Sequence, residues 1–312
     1  VSLRRSSITS RQKNGSEMTF GSLFSGIGGI DLGLERAGMT CAWQVEIDPW
    51  CRQVLTKHWP NVEQYEDVTS FCRRIYDCDP EDEEGYVNCP RCDADFAECG
   101  CIGTDQLVDT HGYVDLIAGG FPCQDVSLCG NREGLDGERS GLWEQFRRII
   151  GELDPRYVLI ENVTGILSTY ANGGDSDPAD RHLRTLGYVL RDLADFGYDA
   201  EWQVLSASDV GALHERKRVF IVAHSNGPGR QKQRWPKSMG PKQLSVERGS
   251  SWITGTTKSD WWGSEPNVGR VAHGVPGRVD RLAALGNAVV PQCAELIGKE
   301  IMAHADTYKS RG

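Results

Sequence analysis

The run Thr19-Phe20-Gly21-Ser22-Leu23-Phe24-Ser25-Gly26-Ile27-Gly28-Gly29 passes from a short apolar stretch into a glycine turn, and then into a helical pattern, Asp31 to Ala37. Glycine adopts backbone conformations closed to other residues and lets a ligand approach the main chain. Strand, glycine turn and helix in this order therefore open a nucleotide-type α/β unit. Twenty residues beyond Gly26, at the end of the next apolar run, stands Glu46. In such units a carboxylate at that place accepts hydrogen bonds from ribose hydroxyls. The loop alone reads equally as a tight structural turn; with Glu46 in place, an adenosine-bearing cofactor is the better reading. No Gly-Lys-Ser/Thr follows a glycine loop anywhere, so a triphosphate-cradling P-loop is excluded.

The same alternation continues along the chain. Strands are expected at Thr19 to Ser25, Cys41 to Ile47, Val114 to Ala118, Tyr157 to Glu161, Ala200 to Ser206 and Arg218 to His224. Helices are expected at Asp31 to Ala37, Pro49 to His58, Gly141 to Leu153, Arg181 to Phe196 and Leu282 to Met302. Strands separated by helices indicate an α/β fold with a mostly parallel sheet. Two segments break the pattern and read as insertions, one acidic and Cys-rich at 77–109, the other rich in Gly, Pro, Ser, Lys and Trp at 224–273.

Composition is that of a globular protein, 39% hydrophobic and 25% charged over 312 residues, which excludes wholesale disorder. No apolar stretch approaches the 18 or so residues of a membrane span, and Val1 to Glu17 lacks the apolar core of a secretory signal. Residues 1–17 read as a tail, or as residues upstream of a start at Met18, and 307–312 as a second tail. The expected location is the cytoplasm, where the eleven cysteines would be reduced thiols, metal ligands or catalytic groups. The net charge of −10 is uneven. Residues 63–109 carry fourteen acids against three Arg, whereas 224–273 carry eight Lys or Arg against three acids, with four of the nine Trp. Local field rather than total charge steers a polyanion, so the basic segment is still able to face phosphates.

Three further motifs carry chemistry. Gly119-Gly120-Phe121-Pro122-Cys123-Gln124 runs off the end of a strand, where doubly wound sheets place their ligands. Polar Gln124 and nearby Arg132 and Arg139 would favour a thiolate at Cys123, though a loop thiol without a role has the same spacing. Glu161, in Glu161-Asn162-Val163, follows an apolar strand, and an acid so placed either faces a cleft or caps a helix. In His214-Glu215-Arg216-Lys217-Arg218 the two arginines alternate on one side of an extended segment.

Together, and in this order, these motifs resemble those of the DNA cytosine-5 methyltransferases. The resemblance covers residues 18–223 and 278–303. It implies a Rossmann-like doubly wound sheet, a catalytic S-adenosylmethionine-binding domain at 18–223, a small inserted DNA-recognition region at 224–273, and a C-terminal helix at 274–306 that returns to the catalytic domain. Phe24, Ser25, Gly26, Gly28 and Gly29 look like the cofactor turn, Glu46 and Ile47 like the ribose segment, and Asp67 like the acid that binds the adenine amino group. Gly120, Pro122, Asn287 and Ala288 complete the implied cofactor contacts. The implied catalytic set is Cys123 as nucleophile on C6 of a flipped-out cytosine, Glu161 at its N3, and Arg216 and Arg218, the latter at O2. His214 stands where the family usually carries Gln. Double-stranded DNA is the implied partner of a monomeric enzyme, with Gln124, Ser127, Arg139, Arg230, Arg234, Arg248 and Arg270 as candidate contacts.

Outside the shared motifs, Cys89, Cys92, Cys99 and Cys101 offer four thiols within thirteen residues, a candidate structural zinc site or a set of free thiols. Other functions are weighed by the same residues. A tRNA cytosine-5 methyltransferase would use the same motifs, but the recognition-sized insert favours DNA. A non-catalytic nucleic-acid-binding relative would normally lack Cys123 or Glu161. A nicotinamide dehydrogenase explains the glycine loop but gives no reason for Pro122-Cys123 or the arginine pair. A restriction partner, an orphan enzyme and a phage protein shielding its own DNA all fit the sequence.

Overall fold

The computed structural model describes residues 17–72, 102–122, 141–169, 184–225 and 284–309. The first half supplies β1 (Thr19–Leu23), α1 (Gly29–Arg36), β2 (Thr40–Val45), α2 (Pro49–His58), β3 (Glu63–Tyr65), β4 (Phe71–Cys72), β5 (Ile102–Gly103), α3 (Thr104–His111) and β6 (Leu116–Gly119). The second half supplies α4 (Leu142–Leu153), β7 (Tyr157–Val163), α5 (Thr185–Asp195), β8 (Tyr198–Ser206), β9 (Lys217–Ser225) and α6 (Pro291–Lys309). Seven strands form one sheet in the order β3-β2-β1-β6-β7-β9-β8. The first five are parallel, and β9 runs antiparallel to both β7 and β8. The middle strands are apolar on both faces, as a sheet covered on both sides requires: Tyr157, Val158, Leu159 and Ile160 are all fully buried. On one face, Trp143, Phe146, Ile149 and Ile150 of α4 pack with Val189 and Leu193 of α5. On the other, Ile30 and Leu34 of α1 pack with Cys293, Ile297 and Ile301 of α6.

The order reverses between β1 and β6. From β1 the chain builds outward to β3, then crosses back to β6 and continues the other way, leaving a crevice at the carboxyl ends of these two strands. All six expected strands are present, within two residues at their amino ends. The sheet is mixed at one edge, because the 3-10 turn Ala207–Val210 and Gly211 (φ 94) let β8 fold back as a hairpin with β9.

Three elements differ from expectation. Glu63-Gln64-Tyr65 has no apolar run, yet forms β3 by pairing with β2. The acidic stretch expected as an insert returns to regular structure at Ile102, where β5 pairs with β4 and α3 follows. Leu107 is the reason: it is 1% exposed in the core cluster under α4. The expected C-terminal helix, Leu282 to Met302, is interrupted: residues 284–287 are helical, 288–290 are not, and α6 starts at Pro291, with proline at the first helical position, where its missing N–H costs no hydrogen bond.

Candidate active site

The crevice is framed first by the glycine loop. Phe24 (φ 54), Gly26 (φ 57) and Gly28 (φ 82) are all left-handed, so the chain doubles back between β1 and α1. For Phe24 such a conformation costs about 1–3 kcal/mol, and the ring is held in place by stacking on Phe146, 6.1 Å between centroids. The loop is tied to β2 from two directions. Gly26 N donates to Glu46 Oε2 at 2.6 Å, while Asp48 N donates to Oε1 at 2.8 Å. Ser25 N donates to Val45 O at 3.0 Å, and the Ser25 hydroxyl donates to Ser22 Oγ at 2.9 Å. Beneath this, Asp31 Oδ2 accepts from Ser22 Oγ (3.1 Å) and Oδ1 from Gln44 Nε2 (2.8 Å). Asp31 is wholly buried, and burial raises its carboxyl from 3.8 to about 6 against the pull of those bonds. Gly28 caps α1 without a side chain, so the helix N-terminus keeps its N–H groups toward the turn.

The second wall comes from the ends of β2 and β3. Ile47 is 71% exposed, an apolar side chain held at the mouth of the crevice. Asp67 caps the 3-10 turn Val68–Ser70: Oδ1 accepts from Thr69 N and Oδ2 from Thr69 Oγ1, at 2.8 and 2.6 Å. Its carboxylate keeps lone pairs for a further donor.

The third wall is chemical. Gly119 and Gly120 leave β6 beside Glu161, so closely that a Cβ at Gly120 would stand 2.7 Å from Glu161 Oε2. Phe121 is buried against Trp143, and Asn162 Nδ2 donates to Phe121 O at 2.9 Å, anchoring the turn just before Pro122. Glu161 is 8% exposed, and Arg218 Nε lies 2.9 Å from its Oε1. Burial raises the Glu161 carboxyl from 4.5 to about 7, with Arg218 and Arg216 pulling the other way. Arg216 in turn donates from Nη2 to Gly286 O at 2.6 Å, joining the entrance of β9 to the segment before α6.

That segment closes the frame. Val289 O packs against Gly29 so tightly that a Cβ there would collide with it, which puts Ala288 beside the glycine loop; Asn287 is exposed next to them. The structure thus gathers Phe24, Ser25, Gly26, Gly28, Gly29, Glu46, Ile47, Asp67, Gly120, Pro122, Glu161, Arg216, Arg218, Asn287 and Ala288 around the carboxyl end of the sheet. Cys123, Gln124, Ser127 and Arg139 lie outside the described residues, as do Arg230, Arg234, Arg248, Arg270, Cys89, Cys92, Cys99 and Cys101. Among the described residues no group of three or more His, Cys, Asp or Glu is placed to hold a metal, and no helix is long and apolar enough to cross a membrane.

The profile of the C-5 cytosine-specific DNA methylases matches residues 18–94 and 97–259. The chain belongs to that family. Among curated relatives, Type II methyltransferase M2.BsuMI of Bacillus subtilis is 31% identical over 65% of this chain and 41% of its own length. Type II methyltransferase M.AquIA of a Picosynechococcus strain is 30% identical over 66% of this chain and 71% of its own. The chain thus spans less than half of the first relative and about seven-tenths of the second. The solved S. pombe Dnmt2 methyltransferase superposes with a TM-score of 0.45 at 17% identity, covering 69% of this chain and 53% of that one. An adenosine-bearing cofactor, as a methylase of this family requires, fits the crevice on the residues present. Nothing lies within 4 Å of the space a Cβ would take at Gly26, Ile47 offers an apolar face, and Glu46 offers a fixed carboxylate.

Proposed function

We propose that this chain is a DNA (cytosine-5-)-methyltransferase that acts at C5 of a flipped-out cytosine in one duplex sequence. The observation that carries the reading is Glu161. It is a buried carboxyl with a pKa near neutrality, paired with Arg218 at the carboxyl end of the sheet beside Gly120 and Pro122. S-adenosylmethionine, when bound, supplies an electrophilic methyl group; Glu46, Ile47, Asp67, the glycine loop and the 287–288 segment would hold it.

C5 of cytosine is a poor nucleophile, and the residues of this chain correct that. The Cys123 thiolate adds to C6, its electron pair forming the C–S bond while the C5–C6 π electrons move toward N3 and O2. Glu161, its carboxyl raised by burial from 4.5 to about 7, donates its proton to N3. Arg218 meets the charge developing at O2. After C5 has gained its methyl, loss of the C5 proton to a base re-forms the C5–C6 double bond and expels the Cys123 thiolate, while the N3 proton returns to Glu161. A base in a stacked duplex is out of reach of these groups, so it must leave the helix at a cost of about a few kcal/mol. Residues 224–273, basic in a chain of net −10, are the proposed reader of the sequence, with Arg230, Arg234, Arg248 and Arg270 as candidate contacts.

The test is expression in a methylation-free host, with mapping of 5-methylcytosine in its DNA, beside methyl-transfer assays on duplex DNA and on tRNA. The expected result is methylation of one duplex sequence, abolished in Cys123→Ser. Transfer to tRNA alone would overturn the assignment of substrate.

A further inference from the structure

Arg52 is an oddity of α2. The helix begins well, with Asp48 Oδ1 accepting from Trp50 N (2.7 Å) and Cys51 N (3.0 Å) and Pro49 at its first position. A cation so close to a helix N-terminus is opposed by the helix dipole, so Arg52 does not stand there for the sake of the helix. Helical side chains lean toward the N-terminus, and this one reaches back over it. Its Nη1 donates to Glu46 O at 3.0 Å and to Ile47 O at 2.7 Å, while Nη2 meets Glu66 Oε1 at 2.9 Å. The Arg52 side chain is 20% exposed, whereas Glu66 is 77% exposed. The carbonyl contacts therefore hold the geometry, and the surface ion pair adds little energy of its own.

What these three contacts fix is the wall for an adenosine. Glu46 carries the carboxylate bound to Gly26, Ile47 the exposed apolar face, and Glu66 immediately precedes Asp67. The last main-chain hydrogen bond between the ends of β2 and β3 is Glu46 N donating to Tyr65 O at 3.0 Å. We infer that Arg52 is a positioning residue for the cofactor: its guanidinium clamps residues 46–47 to residue 66 and so sets the gap between Ile47 and Asp67 in which a purine is held. The fork of a guanidinium is suited to three acceptors in a fixed arrangement, and a lysine ammonium at the same place has no such geometry. The inference rests on the cofactor reading proposed above.

The test is calorimetric binding of S-adenosylhomocysteine and of adenosine to the full-length chain, for wild type, Arg52→Lys, Arg52→Met and the exposed neighbour Gln53→Ala. Both Arg52 variants are expected to weaken both ligands by the same factor, about tenfold, the loss of roughly one charge-assisted hydrogen bond. The KM for S-adenosylmethionine should rise likewise, with kcat at saturation near the wild-type value, and Gln53→Ala should bind as wild type does. A merely structural role would lower the unfolding midpoint and leave the adenosine affinity of the folded fraction unchanged, which overturns the inference. Weakened binding of S-adenosylhomocysteine with unchanged binding of adenosine overturns it too, because the effect would then sit at the amino-acid half. If wild type binds neither ligand, the cofactor reading falls and this inference with it. If wild type binds and both Arg52 variants match it, this inference alone falls.

Discussion

Glu161 holds its proton near pH 7 because the strand that carries it is buried on both faces, and two arginines only partly offset that burial. The sign of the consequence follows from its proposed role. A donor to N3 must be protonated in the free enzyme, so kcat/KM should fall as pH rises through about 7 and level off below it. Glu161→Gln keeps the shape and a hydrogen-bond donor but has no proton to transfer; its rate should drop by about 10²-fold or more, and the alkaline limb should disappear. A wild-type profile that is flat between about pH 6 and 8 would sink the assignment. Glu46, Glu161 and Arg218 were legible in the sequence because each stands where an apolar run ends or begins, and a charged group at a strand end is conspicuous. The roles of Asp31 and Arg52, and the bond that Asn162 makes, were not. Each acts on partners distant in sequence or on main-chain atoms: Asp31 on Ser22 and Gln44, Arg52 on the carbonyls of Glu46 and Ile47, Asn162 on the carbonyl of Phe121. Main-chain atoms carry no sequence signal.

Helix α6 is separated from α1 by most of the chain, yet it completes the site, because the segment before it lies against Gly29. The contact depends on glycine at a second place. A Cβ on Gly33 would come within 2.5 Å of Ala294 Cβ and 2.8 Å of Glu295 N, and would strike Pro291 O. In an open helix Gly→Ala stabilises by about 1 kcal/mol through propensity alone. Here overpacking against backbone should win, and Gly33→Ala is expected to destabilise by about 1–3 kcal/mol in urea unfolding. A gain in stability would show that the α1–α6 contact yields easily. The same dependence on neighbours explains which elements could be read in advance. Helix α4 repeats its apolar residues at helical spacing and was visible; β3 and α3 are polar pieces whose structure comes from a partner, β2 in one case and the core around Leu107 in the other. Composition placed most of α3 within the acidic stretch because its apolar residues are only Leu107 and Val108 among charged and polar ones.

Across the molecule, buried titratable groups pull stability in opposite directions with pH. Asp31 and Glu161 are raised by burial, to about 6 and about 7, so between roughly pH 4 and 7 the folded chain binds more protons at these two positions than the unfolded chain does. Their contribution to stability is complete below the unfolded values and is lost as pH rises through the folded ones. His304 on α6 is the reverse case. Burial, with His224 and Arg156 nearby, lowers it from 6.5 to about 4, while its Nδ1 meets the Tyr157 hydroxyl at 2.8 Å. In the same window its contribution rises with pH, because the unfolded chain takes up the proton that the fold refuses. The two acids lie at the carboxyl end of the sheet, beside or beneath the crevice, and the histidine packs at the other end of β7. Ionising Asp31 at neutral pH costs about 3 kcal/mol, a cost tolerated where the glycine loop is held. Asp31→Asn removes that titration and little else that depends on pH. Relative to wild type, the variant should therefore gain about 3 kcal/mol between about pH 4 and 7, superimposed on a constant offset from the altered hydrogen bonds to Ser22 and Gln44. Denaturant unfolding of both proteins across that range measures the difference directly. A difference that stays constant with pH would mean that Asp31 remains ionised throughout, with the Ser22 and Gln44 bonds outweighing its burial.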